Sequence, residues 1–170
     1  MPKAQFNAFK RFTFGEQIGL DECTFEWPSL ADLKKLNLKK LPVLKEIRLR
    51  QTYTSCIGSV QLAFDTGLCS PLFEGIDKSE PLDLVRVQDP NSCIRELSMR
   101  VHGSGKDSYL HQLVIMHQSA KYTTSFQFHD SGEMDTFQIP QNHVIIGIYG
   151  KIANRRMTTL GFSLINASVF

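Results

Sequence analysis

Apolar side chains recur in one arrangement at three places along this chain. Ile57-Gly58-Ser59-Val60-Gln61-Leu62, Leu110-His111-Gln112-Leu113-Val114-Ile115 and Met157-Thr158-Thr159-Leu160-Gly161-Phe162 each carry apolar residues at i, i+3 and i+5, about fifty residues apart. The last two of these positions alternate as one face of a strand does, and the first falls at a turn. A shorter alternating run precedes each copy: Ile47 and Leu49; Leu97, Met99 and Val101; Ile146 and Ile148. One such hairpin cannot bury its apolar face alone. The repetition therefore predicts a single supersecondary unit used three times around a common axis.

The remainder from Val43 onward reads as strands. Val60, Leu62 and Phe64 alternate, as do Val85 and Val87, Phe126 and Phe128, and Phe137 and Ile139. Turn signals separate the runs at Asp65-Thr66-Gly67, Asp89-Pro90-Asn91, Gly103-Ser104-Gly105 and Asp130-Ser131-Gly132. About eleven or twelve short strands at this spacing predict an all-β, closed or multi-sheet body. Before Val43 the pattern changes. Ser29 is placed to cap a short helix, with Asp32 in its first turn and Leu30, Leu33 and Leu36 as its apolar stripe. The expected division is an N-terminal extension over residues 1–42 and a β domain over 43–170.

Phe6, Phe9, Phe12 and Phe14 crowd that extension, followed by Phe25 and Trp27. These aromatics can anchor the segment to its own domain, the favoured reading, or to a partner. Charge adds to the second possibility. Residues 1–50 hold ten Lys/Arg against six Asp/Glu, whereas the whole chain carries a net charge of only +2. Phe6, Phe9, Lys10, Arg11, Phe12, Phe14, Lys34 and Lys35 are thus the candidate partner-contacting residues, suited to an acidic surface.

The stretch Val144-Ile145-Ile146-Gly147-Ile148-Tyr149-Gly150, closed by Thr159-Leu160-Gly161-Phe162, resembles the final hairpin of jacalin-related lectin domains. Ser59-Val60-Gln61-Leu62-Ala63-Phe64, Ser70-Pro71-Leu72-Phe73 and Ile94-Arg95-Glu96-Leu97 fall in the order that family shows, so the resemblance covers roughly residues 43–166. It implies a β-prism of three four-stranded antiparallel sheets with pseudo-threefold symmetry. In sugar-binding members, an Asp in a Gly-x-x-x-Asp loop directly follows the first apolar residue of the hairpin pattern. It accepts hydrogen bonds from adjacent sugar hydroxyls, while loop amides donate to the same ring. Here that position holds Thr158, and the glycine's place falls at Asn154. The pseudo-symmetric positions hold Gly58 and His111. No copy carries the carboxylate. The degenerate candidate site is then Lys151, Asn154, Arg155, Arg156 and Thr158.

Other chemistry finds no footing in the sequence. The five histidines have no metal-ligand spacing with a cysteine or carboxylate, no nucleophile elbow occurs, and no cofactor motif is present. Aromatic and basic residues do not alternate as a nucleic-acid platform requires. No apolar run reaches membrane-spanning length. The four cysteines lack paired spacing, and the first residues lack a secretory signal's apolar stretch, so the expected setting is cytoplasmic. The expected function is non-catalytic: a structural or protein-interaction component of a larger intracellular assembly, such as a cytoskeletal one. The alternative is a lectin taking mannose- or galactose-type sugars, with weak carbohydrate binding through the C-terminal hairpin loop.

Overall fold

Three hairpins form the body of the protein, and each is built from one copy of the sequence repeat. In the computed structural model the described residues are 10–29, 32, 43–51, 57–74, 82–86, 94–103, 109–117, 121–123, 133–153 and 156–169. The hairpins pair β3 (Leu44–Gln51) with β4 (Ile57–Phe64), β7 (Ile94–His102) with β8 (Tyr109–His117), and β11 (His143–Ala153) with β12 (Arg156–Asn166). Each gains two outer strands. Short β5 (Phe73–Glu74) and β6 (Leu82–Arg86) flank the first, giving the order β5-β4-β3-β6. Around the second, β9 (Lys121–Thr123) and β10 (Glu133–Gln138) give β10-β7-β8-β9. Every pairing among these strands is antiparallel.

The equivalence of the hairpins extends to their irregularities. Register shifts lie between Leu44 and Glu46, Ile94 and Glu96, and Ile145 and Gly147 at one end. At the other they lie between Arg50 and Gln51, Arg100 and Val101, and Lys151 and Ile152. A bulge bends its strand and increases the local twist. Bulges in matching places therefore curl each hairpin alike, as three equal sides around one core demand. The first apolar residues of the repeat, Ile57, Leu110 and Met157, are all fully buried beside the second set of shifts.

The third sheet departs from the expected division at residue 42. Its order is β1-β12-β11-β2, where β1 is Lys10–Gly15 and β2 is Phe25–Trp27. Strands from the N-terminus supply the two outer positions that the chain beyond β12 does not. The physical reason is the alternation Phe12-Thr13-Phe14 and Phe25-Glu26-Trp27, which turns two aromatics of each strand inward. Phe12 stacks on Phe137 of β10, with ring centroids 3.7 Å apart, and its centroid is 5.6 Å from that of Phe162. Phe25 stacks on Phe73 of β5 at 4.9 Å, and Trp27 lies 5.9 Å from Phe64 of β4. So β1 seals the seam toward one neighbouring sheet and β2 the seam toward the other. Residues 10–27 belong to the β-prism itself.

Of the expected short helix, only Ser29 and Asp32 fall among the described residues. The Ser29 amide and hydroxyl each donate to Asp32 Oδ2 at 2.9 Å, and the Asp32 amide donates back to Ser29 Oγ at 3.2 Å. That reciprocal arrangement is a capping box. Asp32 is helical, and the rest of the expected helix, with Lys34 and Lys35, lies outside the described residues. No helix among the described residues is long and apolar enough to cross a membrane.

Candidate functional site

The end of the prism where β11 turns into β12 carries the candidate loop. Asn154 and Arg155 lie outside the described residues; Lys151, Arg156 and Thr158 are described. Thr158 is buried, and its hydroxyl donates to the Lys151 carbonyl at 3.4 Å. The hydroxyl is spent inside its own hairpin, where a ligand-gripping group would have to face outward.

A second segment reaches this end from the chain's start. Gly15 pairs with Thr159 and turns the chain with φ of +88°, a conformation that costs glycine little and other residues much. A Cβ there would collide with the Thr158 carbonyl. The close approach lets the Glu16 amide donate to Thr158 O at 2.9 Å, while Thr159 Oγ1 donates to Glu16 O at 2.7 Å. Glu16 also brings a carboxylate, the group absent from the hairpin's own sequence. It is already engaged: Glu16 Oε2 lies 3.6 Å from Lys151 Nζ. Sequence reasoning missed Glu16 because 135 residues separate it from Lys151.

The pair has a counterpart in another sheet. Lys151 reaches across Thr159 to the outer strand's end, since Lys151 pairs with Thr159 and Thr159 with Gly15. Arg50 pairs with Ser59, Ser59 pairs with Glu74, and Arg50 Nη1 donates to Glu74 Oε1 at 3.2 Å. Both cations stand just before the second register shift of their hairpins. The Lys151–Glu16 pair is thus a repeated brace between inner and outer strands. Part-exposed pairs of this kind contribute roughly 0.2–1 kcal/mol each.

Arg156 is arranged differently. It is exposed, and its guanidinium carbon lies 5.1 Å over the ring of Tyr109 at the start of β8. Tyr109 in turn packs against His102, with ring centroids 4.8 Å apart. The contact bridges the tips of two different sheets. Such a cation–π contact at an exposed site is worth about 0.5–1 kcal/mol.

The structural comparisons bear on the whole chain. A single-chain recombinant jacalin superposes with a TM-score of 0.65 at 16% identity, over 92% of this chain and 93% of that one. A mannose-specific jacalin-related lectin from Morus nigra gives 0.60 at 17% identity, over 92% and 94%. A mannose-binding jacalin-related lectin from Ananas comosus gives 0.61 at 14% identity, over 94% and 99%. The chain has the jacalin-type β-prism fold. No protein-family model matches the sequence, and no curated protein matches it in sequence.

The remaining candidates of the jacalin-type prism separate cleanly. Phe12 and Phe14 are core residues rather than partner contacts, 8% and 1% exposed. Their alternation along an edge strand points them inward, which corrects the expectation of a docking surface there. Arg11 is half-buried on the outer face, with Nη2 3.2 Å from Glu26 Oε1 and its guanidinium 5.9 Å from the Tyr149 ring centre. Lys10 is exposed. Phe6 and Phe9 lie outside the described residues. Tyr149 is buried over Gly161, and burial pushes its phenol up to about 12, partly opposed by the Arg11 charge. Burial, reinforced by Glu26, likewise raises the Cys23 thiol above its ordinary value.

Proposed function

We propose that this protein is a non-catalytic β-prism module that binds a protein partner as a component of a larger assembly, its simple-sugar site lost. The observation that carries this reading is the fate of the acceptor position. Thr158 stands where sugar-binding members of the fold carry Asp, and it is buried with its hydroxyl given to the Lys151 carbonyl. Sugar hydroxyls in water require strong, preferably charged acceptors. The carboxylate of Glu16, which reaches this end of the prism, is held by Lys151 in a brace that recurs at Arg50 and Glu74. The cytoplasmic, assembly-bound setting belongs to the same proposal.

A glycan array of neutral mannose and galactose ligands tests this. No competable binding is expected; reproducible binding displaced by free monosaccharide overturns it and restores the lectin reading, which the sugar-binding structural neighbours favour. Partner mapping by truncation must spare β1. Removing residues 1–28 deletes two strands of the prism, whereas removing residues 1–8 leaves both in place.

A further inference from the structure

Arg156 is held differently from Arg11, Arg48 and Arg50. Arg11, Arg48 and Arg50 each donate to a carboxylate, on Glu26, Glu46 and Glu74 respectively. Lys151 is neutralised by Glu16. Arg156 is exposed and carries no carboxylate among the described residues; its guanidinium rests on the face of Tyr109. The contact with Tyr109 holds the planar guanidinium of an exposed arginine at one place. A planar fork of that kind matches a carboxylate through two parallel hydrogen bonds. A side chain already resting on a ring loses less entropy on binding than one free in solvent.

We infer that Arg156, held by Tyr109 at the junction of two sheet tips, is the anchor for an acidic segment of a protein partner. This rests on the proposed reading and names the chemistry of its partner. The polarity of the site is reversed relative to a sugar site: a hydroxyl-rich ligand meets a buried threonine and a committed glutamate, while a carboxylate meets an exposed guanidinium. A sugar acid would satisfy the donor but still present ring hydroxyls to Thr158 and Glu16, both already engaged among the described residues. A peptide carboxylate carries no such unmet groups.

Fluorescence anisotropy with a labelled oligoglutamate peptide, its oligoglutamine counterpart and a hyaluronan fragment tests the assignment on the full chain. Binding of the glutamate peptide is expected to weaken by about tenfold in Arg156→Gln. Arg156→Lys, which keeps the charge without the fork, should fall between that variant and the native protein. Tyr109→Phe keeps the ring and should bind as the native chain does, whereas Tyr109→Leu removes the platform and should weaken binding. Equal binding of the glutamate and glutamine peptides, no change in Arg156→Gln, or a preference for hyaluronan over the peptide each overturns the inference. A blank neutral-glycan array alongside any of those results leaves the protein-binding reading standing and removes only this anchor.

Discussion

Phe14→Ala distinguishes a prism that includes the N-terminus from one that merely carries it. Phe14 is 1% exposed. Its ring meets Phe12 edge-on at 5.4 Å and Phe162 at 6.4 Å. Removing a fully buried phenylalanine side chain loses its transfer free energy and leaves a cavity, together about 3–5 kcal/mol. Edge-to-face partners account for part of the upper range, at about 0.5–1.5 kcal/mol each. A domain's total stability is about 5–15 kcal/mol, so the loss is a large fraction of it. Urea unfolding followed by tryptophan fluorescence reads the change, because Trp27 lies on β2 of the same sheet. With a slope of about 1–3 kcal/mol/M, the midpoint should fall by one molar or more. Lys10→Ala, on the same strand but exposed, serves as the control and should stay within about 0.5 kcal/mol. A loss below about 1 kcal/mol in Phe14→Ala would show that β1 is an appendage, and the closure of the third sheet described above would be wrong.

Three further outcomes follow from the same structure. Glu16→Gln should lower stability by less than about 1 kcal/mol, since the brace to Lys151 is part-exposed; a thermal melt checks it, and a larger loss would mean the pair closes the prism end rather than bracing it. Gly15→Ala should cost more, about 1–3 kcal/mol, because the substituted residue must hold φ near +88° and its Cβ meets the Thr158 carbonyl; the readout is the same melt. Tyr149 has a folded pKa of about 12 against an ordinary 10, so its contribution is complete below pH 10 and is lost as pH rises toward 12. In that window the urea midpoint of the native chain should decline more steeply than that of Tyr149→Phe, by up to about 1.4 kcal/mol per pH unit. Parallel declines would show that the phenol is not sheltered.

Much of the prism could be seen in the order of apolar residues, because its hairpins are local. Ile57, Val60 and Leu62 mark one face of β4 within six residues, and the pattern reappears at Leu110 and Met157. The third sheet was hidden for the opposite reason. Its outer strands pair across nearly the whole chain, Lys10 with Leu164 and Phe25 with Gly150, and no local pattern records a partner so distant. A signal did exist: Phe12-Thr13-Phe14-Gly15 alternates with period two and ends at a glycine, as an edge strand would. The favoured reading has these aromatics anchor the segment to its own domain, without using that alternation to place a strand. At the site, the identity of Thr158 was legible from one position, but its burial and its bond to the Lys151 carbonyl were not. The Glu16–Lys151 brace and the Arg156–Tyr109 contact were not, since each joins residues from different hairpins or from opposite ends of the chain.

The pseudo-symmetry also decides how those two contacts should be weighed. A feature that recurs in sheets with no ligand loop is explained by what the sheets share, which is the need to fasten an outer strand to an inner one. Lys151–Glu16 has such a counterpart in Arg50–Glu74, so its energy belongs to bracing an outer strand against an inner one. Arg156 has none: the residues before Ile57 and Leu110 that match it are Cys56 and Tyr109, neither of them a cation. A cation at only one of these three equivalent positions breaks the symmetry where the fold does not require it. Tyr109, the matching residue of the second hairpin, is the ring on which that cation rests. Two equivalent positions have thus diverged into a charge and its platform, and departure from the repeat at that pair is where a function specific to this chain should be sought.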